Sequence, residues 1–341
     1  MKRFVCLLLI CGLLMAGCSG PSAAQRKSYD ATFLTLFDTV TTIRGFADSQ
    51  EEFTEVATAI HDELLRYHQL FDIYNDYEGV NNLKTVNDRA GEAPVVVDKA
   101  IIDLLSDCKN YASISDGKVN VAMGGVLYLW HEARNDGMDD PRYAQLPDQE
   151  ALEAAAEHWD LDAVVIDAEA STVYISDPLV RLDVGAVAKG WSVQRVCENA
   201  PEGMLISVGG NVFATGPKDK TGTPWVVGVQ DPDGGSDYLH TIYLTRGSIV
   251  TSGDYQRYYV VDGKVYHHII DPDTLYPSEY WRSVTIVCED SGLADALSTA
   301  LFVLPLEEGK ALLDSCGAHG MWVDMDGNAF YSSEFEALIR T

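Results

Sequence analysis

The chain contains 341 residues, of which 52 are acidic and 24 are Lys or Arg, and its formal net charge at pH 7 is −28. This charge excludes nucleic acid and anionic membrane surfaces as electrostatic partners, because both repel an acidic protein. An anionic ligand would therefore need a locally positive or metal-bearing site. About 320 residues follow a short N-terminal segment, which is enough for one large domain or two smaller ones.

The N-terminal segment predicts an export signal that carries a lipid anchor. Two basic residues precede an apolar stretch, residues 4–15, which is too short to remain as a membrane-spanning helix. Two small residues then precede Cys18, as in bacterial lipoprotein signals. We therefore predict a signal peptide at 1–17, a lipidated Cys18 within a flexible tether at 18–30, and an anchored protein on the extracytoplasmic face of the cell membrane. An ordinary cleaved signal peptide is the alternative.

The elements that follow favour an α+β fold. Helical spacing of apolar residues predicts amphipathic helices over 53–71 and 101–111. Groups of strands, rather than single strands, lie between the helices. Asp-Gly turns such as Asp262-Gly263 and Asp326-Gly327 are typical of hairpins, so we predict mixed, largely antiparallel sheets flanked by helices. The predicted strands are 39–46, 204–213, 225–230, 239–244, 258–270, 283–288 and 321–331.

One stretch in the first half of the chain shows neither helical nor strand periodicity of its apolar residues. Residues 135–150 are acidic, contain two prolines and have no apolar repeat. Prolines and clustered polar residues of this kind interrupt regular structure. We therefore predict an exposed insertion or linker over 135–150.

The cysteines beyond Cys18 do not form a metal-binding pattern. None of them is part of a CxxC pair or of a Cys/His spacing that is typical of zinc sites. Cys288 ends the apolar run 284–287, which favours a buried free thiol. The sequence leaves the pairing of the four open: Cys108, Cys197, Cys288 and Cys316.

Residues 251–299 concentrate the side chains that can carry out chemistry. His268 can exchange a proton near neutral pH, and its neighbour His267 would face the opposite way if both continue a strand. Asp295 and Thr299 lie four residues apart in an apolar helical segment, which places a carboxylate and a hydroxyl on one helix face. Such hard oxygen ligands suit Mg²⁺ bound to a phosphate ester.

Seven separated blocks of the chain share an order and composition with one protein family. The blocks are Phe37-Asp38-Thr39, 74–87, 116–130, 183–190, Ser207-Val208-Gly209-Gly210-Asn211, 251–255 with 268–272, and 295–299. Together they resemble the ApbE family of extracytoplasmic FAD:protein FMN transferases, from about Phe37 to Phe302. The resemblance implies a single ApbE-like, T-fold-related α+β domain at 31–341.

The resemblance also implies roles for individual residues. Asp295 and Thr299 would bind Mg²⁺ through their side chains and Ala186 through its backbone carbonyl, while His268 would be the catalytic base. His267 is assigned to structure. The residues expected to contact FAD are Phe37, Tyr74, Lys118, Val119, Asn120, Asp183, Lys189 and the backbone of Ile269.

Three positions depart from the pattern common in the family. Asn120 and Ala122 stand where many members have Asp and Thr, so one charge and one hydroxyl are absent. Leu275 replaces the glycine that usually follows the Asp-Pro-x-Thr turn. A leucine resists the positive φ that glycine allows, so we expect this turn to take another shape.

By this resemblance, the protein would transfer FMN from FAD to a Thr or Ser hydroxyl of an exported redox protein with an FMN-binding domain. The reaction would depend on Mg²⁺ and release AMP. One alternative is an FAD pyrophosphatase, in which water replaces the hydroxyl and the products are free FMN and AMP. Another is a lipoprotein that binds flavin without catalysis.

Overall fold

The structure of the chain, a computed structural model, describes residues 27–235 and 238–340. The predicted signal peptide, the lipidated Cys18 and most of the predicted tether lie outside the described residues. The prediction that the tether extends to residue 30 is wrong, because the first strand begins at Lys27 and pairs with its neighbour. Tyr29 in this strand stacks on Phe53, so packing orders these residues. Within the described ranges, no helix combines the length and apolar character needed to cross a membrane.

Helices and strands alternate irregularly along the chain. The helices are α1 (Gln50–Phe71), α2 (Leu83–Asp88), α3 (Lys99–Ile114), α4 (Gly124–Asp139), α5 (Gln149–Ala156), α6 (Ala188–Asn199), α7 (Ser291–Phe302) and α8 (Leu306–Cys316). The strands are β1 (Lys27–Phe33), β2 (Thr41–Ala47), β3 (Val95–Val96), β4 (Val164–Asp167), β5 (Thr172–Ile175), β6 (Met204–Val208), β7 (Asn211–Ala214), β8 (Trp225–Gln230), β9 (Tyr238–Leu244), β10 (Gly247–Gly253), β11 (Tyr258–Val261), β12 (Lys264–His267), β13 (Trp281–Cys288), β14 (His319–Asp324) and β15 (Ala329–Tyr331).

The largest sheet contains eight antiparallel strands in the order β1-β2-β6-β7-β10-β13-β14-β15. Alternate residues of a strand point to opposite faces, and both faces of this sheet are covered. Val250 and Trp322 pack into a cluster with α7, whereas Ile249 and Met321 pack with the hairpin β8–β9. The predicted α+β fold with largely antiparallel sheets is confirmed, as are the two predicted amphipathic helices, which are α1 and α3.

Two of the predicted strands are hairpins. Residues 204–213 form β6 and β7, which are joined at Gly209 and Gly210, where φ is 55° and 94°. A side chain at Gly209 would collide with Thr39, because its Cβ would lie 2.7 Å from the threonine Oγ1. Residues 321–331 similarly form β14 and β15. Glycine therefore provides both the backbone conformation and the space for the β6–β7 turn.

The predicted strand 258–270 is also a hairpin, and it lies over α4. β11 and β12 pair around the expected turn at Asp262-Gly263, and regular strand geometry ends at His267. The buried ring of Tyr259 packs in one apolar cluster with Trp130 of α4. This packing places His268, which directly follows β12, near α4.

The prediction of a linker over 135–150 is wrong at both ends. Helix α4 continues to Asp139, and α5 begins at Gln149. Gly137 is buried against Tyr259, where a Cβ would approach the ring to 2.8 Å. The last part of α4 thus packs against the β11–β12 hairpin. An apolar repeat along the chain does not reveal this contact.

The four cysteines of the described residues are free thiols. Cys108 and Cys197 are buried, and burial raises the pKa of each thiol. Cys288 is only partly buried, although we expected a buried thiol. Burial is also the largest cause that raises its pKa. Thiolate chemistry is therefore suppressed at these three cysteines.

Candidate active site

The centre of the site is the crossing of α6 and α7. Gly190, in the first turn of α6, allows this contact, because a Cβ there would lie 2.3 Å from Ser291 O and 2.4 Å from Asp295 Cβ. The Gly190 N–H donates a hydrogen bond of 2.8 Å to Asp295 Oδ2. Asp295 is 4% exposed, and burial raises its pKa against the opposing effect of the Lys189 charge. The crossing therefore holds a carboxylate in a largely buried position with one ammonium group 3.8 Å away, at Lys189 Nζ.

A backbone oxygen beside the crossing is free. Gly190 is the third residue of α6, and the N–H groups in the first turn of a helix have no acceptor within that helix. The Gly190 N–H instead donates to Asp295, and no backbone N–H of the described residues is hydrogen-bonded to the carbonyl of Ala186, which precedes α6. Val187 and Ala188 turn the chain into α6 through N–H groups that both donate to Val184 O. Ala186 thus offers an uncommitted carbonyl one helical turn before Gly190.

The oxygen atoms around Asp295 fit a hard divalent cation. Asn211, whose side chain interacts with the Asp295 carboxylate, has a buried Oδ1 without a hydrogen-bond partner among the described residues. Thr299 Oγ1 is 3.5 Å from Asp295 O, so only a long hydrogen bond engages this hydroxyl. No cluster of three His, Cys, Asp or Glu side chains suited to a metal occurs in the described ranges. A site here would therefore use one carboxylate with neutral oxygens, which is within the preference of Mg²⁺.

His267 and His268 have different environments. His267 is buried, its Nε2 donates to Ser278 O at 2.8 Å, and its Nδ1 accepts from Ile269 N at 3.2 Å. Both ring nitrogens are thus engaged within the fold, as expected for a structural residue. His268 is partly accessible and contacts Arg257 O through Nδ1 at 3.2 Å. A carbonyl only accepts, so Nδ1 carries the hydrogen and Nε2 is the atom that can take a proton.

Burial and nearby charges keep the ring of His268 neutral. Burial is the largest cause that lowers the pKa of His268 to about 3, and the charges of His267, Arg257, Lys189 and Arg134 add to it. A neutral imidazole is the form that acts as a base. Because Lys189 also lies 3.8 Å from Asp295 Oδ2, this one lysine acts on both the candidate base and the buried carboxylate.

Arg134 and Arg257 add positive charge around His268, and sequence reasoning missed both of them. Arg134 Nη2 lies 2.9 Å from His131 Nδ1, and the His131 ring stacks on Tyr74 with 5.0 Å between ring centroids. Tyr74 remains 48% exposed. Arg257 contributes a further guanidinium, and its charge affects the pKa of Arg134. A signal existed in the sequence, because an acidic chain with an anionic ligand requires a local group of cations.

Asp183 lies near these cations, at the turn before α6. Its N–H donates to Val121 O at 2.8 Å, which joins this turn to the segment before α4. Its Oδ1 accepts from Gly185 N at 2.8 Å. Burial raises the pKa of Asp183, although the charges of His131, Arg257 and Lys189 act in the other direction. The structure therefore brings together Tyr74, Asp183, Lys189 and His268 from the predicted set.

A cavity of about 230 Å³ is lined by Lys118 and Asn120 together with Pro272 and Asp273. Lys118 pairs with Asp273, and this pairing and Asp271 raise its pKa although burial opposes its charge. The Asn120 amide donates to Trp159 O at 2.9 Å, and its oxygen accepts from Ala122 N at 2.9 Å. The polar atoms of Asn120 thus support the local backbone.

Val119 and Ile269, two other expected flavin contacts, are apolar side chains in the core. They are 3% and 5% exposed, respectively. Ile269 O accepts from Ser278 N at 3.1 Å, and Ile269 N donates to His267. Both side chains are therefore buried, and the backbone N–H and carbonyl of Ile269, the groups expected to contact FAD, form hydrogen bonds within the fold.

Phe37 lies in a strained turn. It belongs to a short 3-10 helix, Leu36–Asp38, in which Phe37 and Asp38 have φ values of 52° and 53°. Left-handed conformations are costly for residues with a side chain and are concentrated at functional sites. The Phe37 N–H donates to His68 Nδ1 at 3.3 Å, and the two rings meet edge to face. His68 therefore supports the conformation of this expected flavin contact.

The expectation that Leu275 changes the turn after Asp271 is wrong. Leu275 adopts a φ of 64°, in the left-handed region that glycine would occupy. Its N–H donates to Asp271 O at 2.8 Å, and its carbonyl accepts from Trp130 Nε1 at 2.9 Å. These two hydrogen bonds and the packing of its side chain against the Trp130 cluster hold the leucine in this conformation.

The chain matches the ApbE family over residues 37–322. It is 34% identical over 324 residues to the FAD:protein FMN transferase of Treponema pallidum (strain Nichols). This alignment covers 90% of this chain and 86% of that protein. It is 33% identical over 265 residues to the FAD:protein FMN transferase of Klebsiella pneumoniae (strain 342), with 74% of this chain and 79% of that protein covered.

Solved structures show the same architecture. A crystal structure of the ApbE protein from Thermotoga maritima MSB8 superposes with a TM-score of 0.80 at 32% sequence identity, covering 92% of this chain and 100% of that chain. The flavin transferase ApbE from Vibrio cholerae has a TM-score of 0.73 at 22% identity, covering 92% and 99%, and supports the fold alone.

Proposed function

This chain belongs to the ApbE family, and we propose that it is an FAD:protein FMN transferase that depends on Mg²⁺. In the proposed reaction the acceptor is a Thr or Ser hydroxyl of another protein and AMP is released. The observation that carries this proposal is the position of Lys189. Its ammonium group lies 3.8 Å from the buried carboxylate of Asp295, and its charge lowers the pKa of His268. The charge of one lysine thus acts on both the candidate base and a candidate metal ligand.

His268 would act as the base. Its Nδ1 donates to Arg257 O, which leaves the lone pair of Nε2 for the acceptor hydroxyl. A hydroxyl becomes a strong nucleophile as its proton is removed in the transition state. The oxygen then forms a bond to the FMN phosphorus of FAD, and the bond from that phosphorus to the bridging oxygen breaks. The bridging oxygen leaves as part of AMP, and His268 holds the proton.

The oxygen ligands for the metal would be Asp295, Thr299 and the carbonyl of Ala186. Bound Mg²⁺ would neutralise charge on the diphosphate and assist departure of AMP. The free carbonyl of Ala186 and the buried, unpartnered Oδ1 of Asn211 support a cation at this position. Lys189 supplies a second positive charge for the same substrate group.

The proposed location follows from the first residues of the chain. A lipidated Cys18 would anchor the protein at the extracytoplasmic face of the cell membrane, with the catalytic domain outside the cytoplasm. The acceptor would then be an exported redox protein with an FMN-binding domain. Metabolic labelling with a radioactive fatty acid tests the anchor, because the wild-type chain should incorporate the label and a Cys18→Ala variant should not.

The test of catalysis combines the full chain with FAD, Mg²⁺ and a candidate FMN-binding acceptor domain. We expect the acceptor mass to increase by one FMN moiety, with one AMP released per acceptor and loss of both on chelation. The His268→Ala variant should bind FAD but not transfer it. The matched control is His319→Ala, because this partly exposed histidine lies in β14 and contacts Glu334 at 3.9 Å.

The alternatives predict other products. Free FMN and AMP with an unmodified acceptor would indicate a pyrophosphatase. Bound but intact FAD in the presence of Mg²⁺ and several acceptors would indicate flavin binding without catalysis. Full activity of a correctly folded His268→Ala variant would remove the base assigned here.

A further inference from the structure

Two arginines lie where the β11–β12 hairpin packs on α4, close to the candidate base. Arg134 belongs to α4 and is half-buried, with Nη2 placed 2.9 Å from His131 Nδ1. Arg257 directly precedes β11, and its carbonyl accepts from His268 Nδ1 at 3.2 Å. Burial and then the charge of Arg257 lower the pKa of Arg134. Two guanidinium groups in this position repel each other, so their arrangement is stabilised when an anion lies between them.

The described protein supplies no carboxylate partner to either arginine. Across residues 27–235 and 238–340, no Asp or Glu oxygen lies within 4.0 Å of a guanidinium nitrogen of Arg134 or Arg257. Several other arginines of this acidic chain have such partners, namely Arg44, Arg66, Arg142, Arg195 and Arg282. The charges of Asp183 and Glu132 reach the groups of this region, but neither carboxylate forms an ion pair with Arg134 or Arg257. The positive charge of the arginine pair is therefore not neutralised by a direct ion pair in the part of the chain that the structure describes.

The surroundings of the pair indicate which kind of anion it takes. Tyr74 stacks on His131 and is 48% exposed, so solvent reaches the protein surface beside these two rings. Lys189 adds a third cation, and it also lies next to the buried carboxylate of Asp295. The planar guanidinium group matches phosphate oxygens with two parallel hydrogen bonds. Three cations around His268 suit a group with more than one negative charge, such as a diphosphate.

From this geometry we propose that Arg134 and Arg257 bind the diphosphate of FAD, with its FMN phosphorus directed towards Nε2 of His268. The inference rests on the proposed function, and it adds two substrate-binding residues to it. Arg257 would act in two ways, since its side chain binds the diphosphate and its carbonyl orients the base. The acceptor protein could supply an anion of another kind, a carboxylate, and the experiment separates that source from the diphosphate.

The experiment compares the full chain, purified in detergent, with Arg134→Met, Arg257→Met and the double variant. Affinities for FAD, riboflavin and inorganic pyrophosphate are measured by fluorescence and calorimetry at two salt concentrations. We expect each single change to weaken FAD and pyrophosphate binding roughly 10- to 100-fold, because charge-assisted hydrogen bonds are lost. Riboflavin, which has no phosphate, should bind all variants with similar affinity. Arg257→Lys should retain part of the FAD affinity.

Arg142→Met is the matched control. Arg142 follows α4 closely in sequence, but it is exposed and is paired with Asp140 at 2.7 Å. Its removal changes net charge by the same amount as the other substitutions. We expect no change in the affinity of this variant for FAD, riboflavin or pyrophosphate. Thermal unfolding of each variant verifies that the fold is retained.

Three results would overturn the inference. The first is unchanged binding of FAD and pyrophosphate in the double variant. The second is an equal loss of FAD and riboflavin affinity, which would assign the arginines to the flavin ring or to the fold. The third is unchanged FAD affinity with a raised KM for the acceptor, which would assign them to the partner protein.

The proposed function and this inference can fail separately. Pyrophosphate binding that requires both arginines would support the anion site even if no FMN were transferred, and the missing transfer would count against the proposed function. Normal transfer with arginine-independent binding of FAD would count against the inference alone.

Discussion

The backbone N–H of Gly190, in the first turn of α6, donates to Asp295 Oδ2 of α7 at 2.8 Å. An N–H that has no acceptor in its own helix thus supports a buried carboxylate of the neighbouring helix. The carbonyl of Ala186, which precedes α6, accepts from no backbone N–H of the described residues, and carboxylate and carbonyl oxygens are both ligands that Mg²⁺ accepts. The contact depends on glycine, because any side chain at position 190 would collide with Ser291 and Asp295.

Gly190→Ala should therefore affect both the stability of the fold and the proposed metal site at Asp295. We expect the free energy of unfolding to fall by about 1–3 kcal/mol, because the added methyl group overpacks the helix crossing. Transfer activity should fall at least tenfold, because the overpacking displaces the Asp295 carboxylate. Urea unfolding and initial rates measure the two effects.

The control for this prediction is Gly292→Ala in the same interface. A Cβ at Gly292 would meet the hydroxyl of Tyr111 at 2.6 Å, so the fold is strained without direct pressure on Asp295. We expect Gly292→Ala to lose stability but to retain more activity than Gly190→Ala. Equal losses of activity at equal stability would show that general destabilisation, rather than movement of Asp295, is responsible.

Asp295→Asn should abolish stabilisation by Mg²⁺. Because burial raises the pKa of Asp295, its ionised form opposes folding, and stability decreases as the pH rises from 3.8 through the raised pKa. A cation that binds the folded carboxylate should offset this loss at pH 7. We expect Mg²⁺ to raise the melting temperature of the wild-type chain but not that of the variant. Calorimetry measures the melting temperature of both proteins. If Mg²⁺ raised it equally in the wild-type chain and in Asp295→Asn, Asp295 would not be a metal ligand.

The pH dependence of transfer should lack a titration near the usual value for histidine. The pKa of His268 is lowered from 6.5 to about 3, mainly by burial, so the ring stays neutral well below pH 6.5. Since kcat/KM reports ionisations of the free enzyme, its acid limb from His268 should lie below about pH 5. Measurement of kcat/KM between pH 5 and 8 checks this. An acid limb near pH 6.5 in the wild-type chain would contradict it.

The same shift affects folding stability with a defined sign. A lowered histidine pKa means that the folded chain favours the neutral ring, so stability is complete above pH 6.5 and is lost as the pH falls towards the folded pKa. Urea unfolding of the wild type and His268→Gln at pH 5 and 7 should show a smaller pH dependence in the variant. Arg257→Met should raise the pKa of His268, because one of the charges that lower it is removed.

Leu275→Gly should cost little stability. The substitution relieves a left-handed leucine, about 1–2 kcal/mol, and this offsets the loss of a half-buried side chain. Leu146→Gly is the comparison, because Leu146 packs partly buried in the same cluster without a positive φ. We expect Leu146→Gly to be more destabilising in urea unfolding. The reverse order would mean that Leu275 is not strained.

Several features of this protein follow from local patterns in its sequence. Apolar spacing is sufficient to predict α1 and α3, because a helix buries one face whatever lies against it. Asp-Gly pairs predict antiparallel hairpins, because their turn requires positive φ. The ordered family blocks select His268, Asp295 and Thr299 from many chemically similar residues. Net charge alone indicates that an anionic ligand needs a cationic site, but it does not locate that site.

Other features are decided by contacts between distant segments. Helix α4 extends beyond its apolar repeat because Gly137 meets Tyr259, and Leu275 keeps its turn because Asp271 and Trp130 hold its backbone. The hydrogen bond from Gly190 to Asp295 depends on the approach of α7. The anion site proposed at Arg134 and Arg257 likewise depends on the packing of the β11–β12 hairpin on α4. The pKa, hydrogen bonding and charge of a group depend on its neighbours in space, which are contributed by distant parts of the chain and therefore set by the tertiary structure.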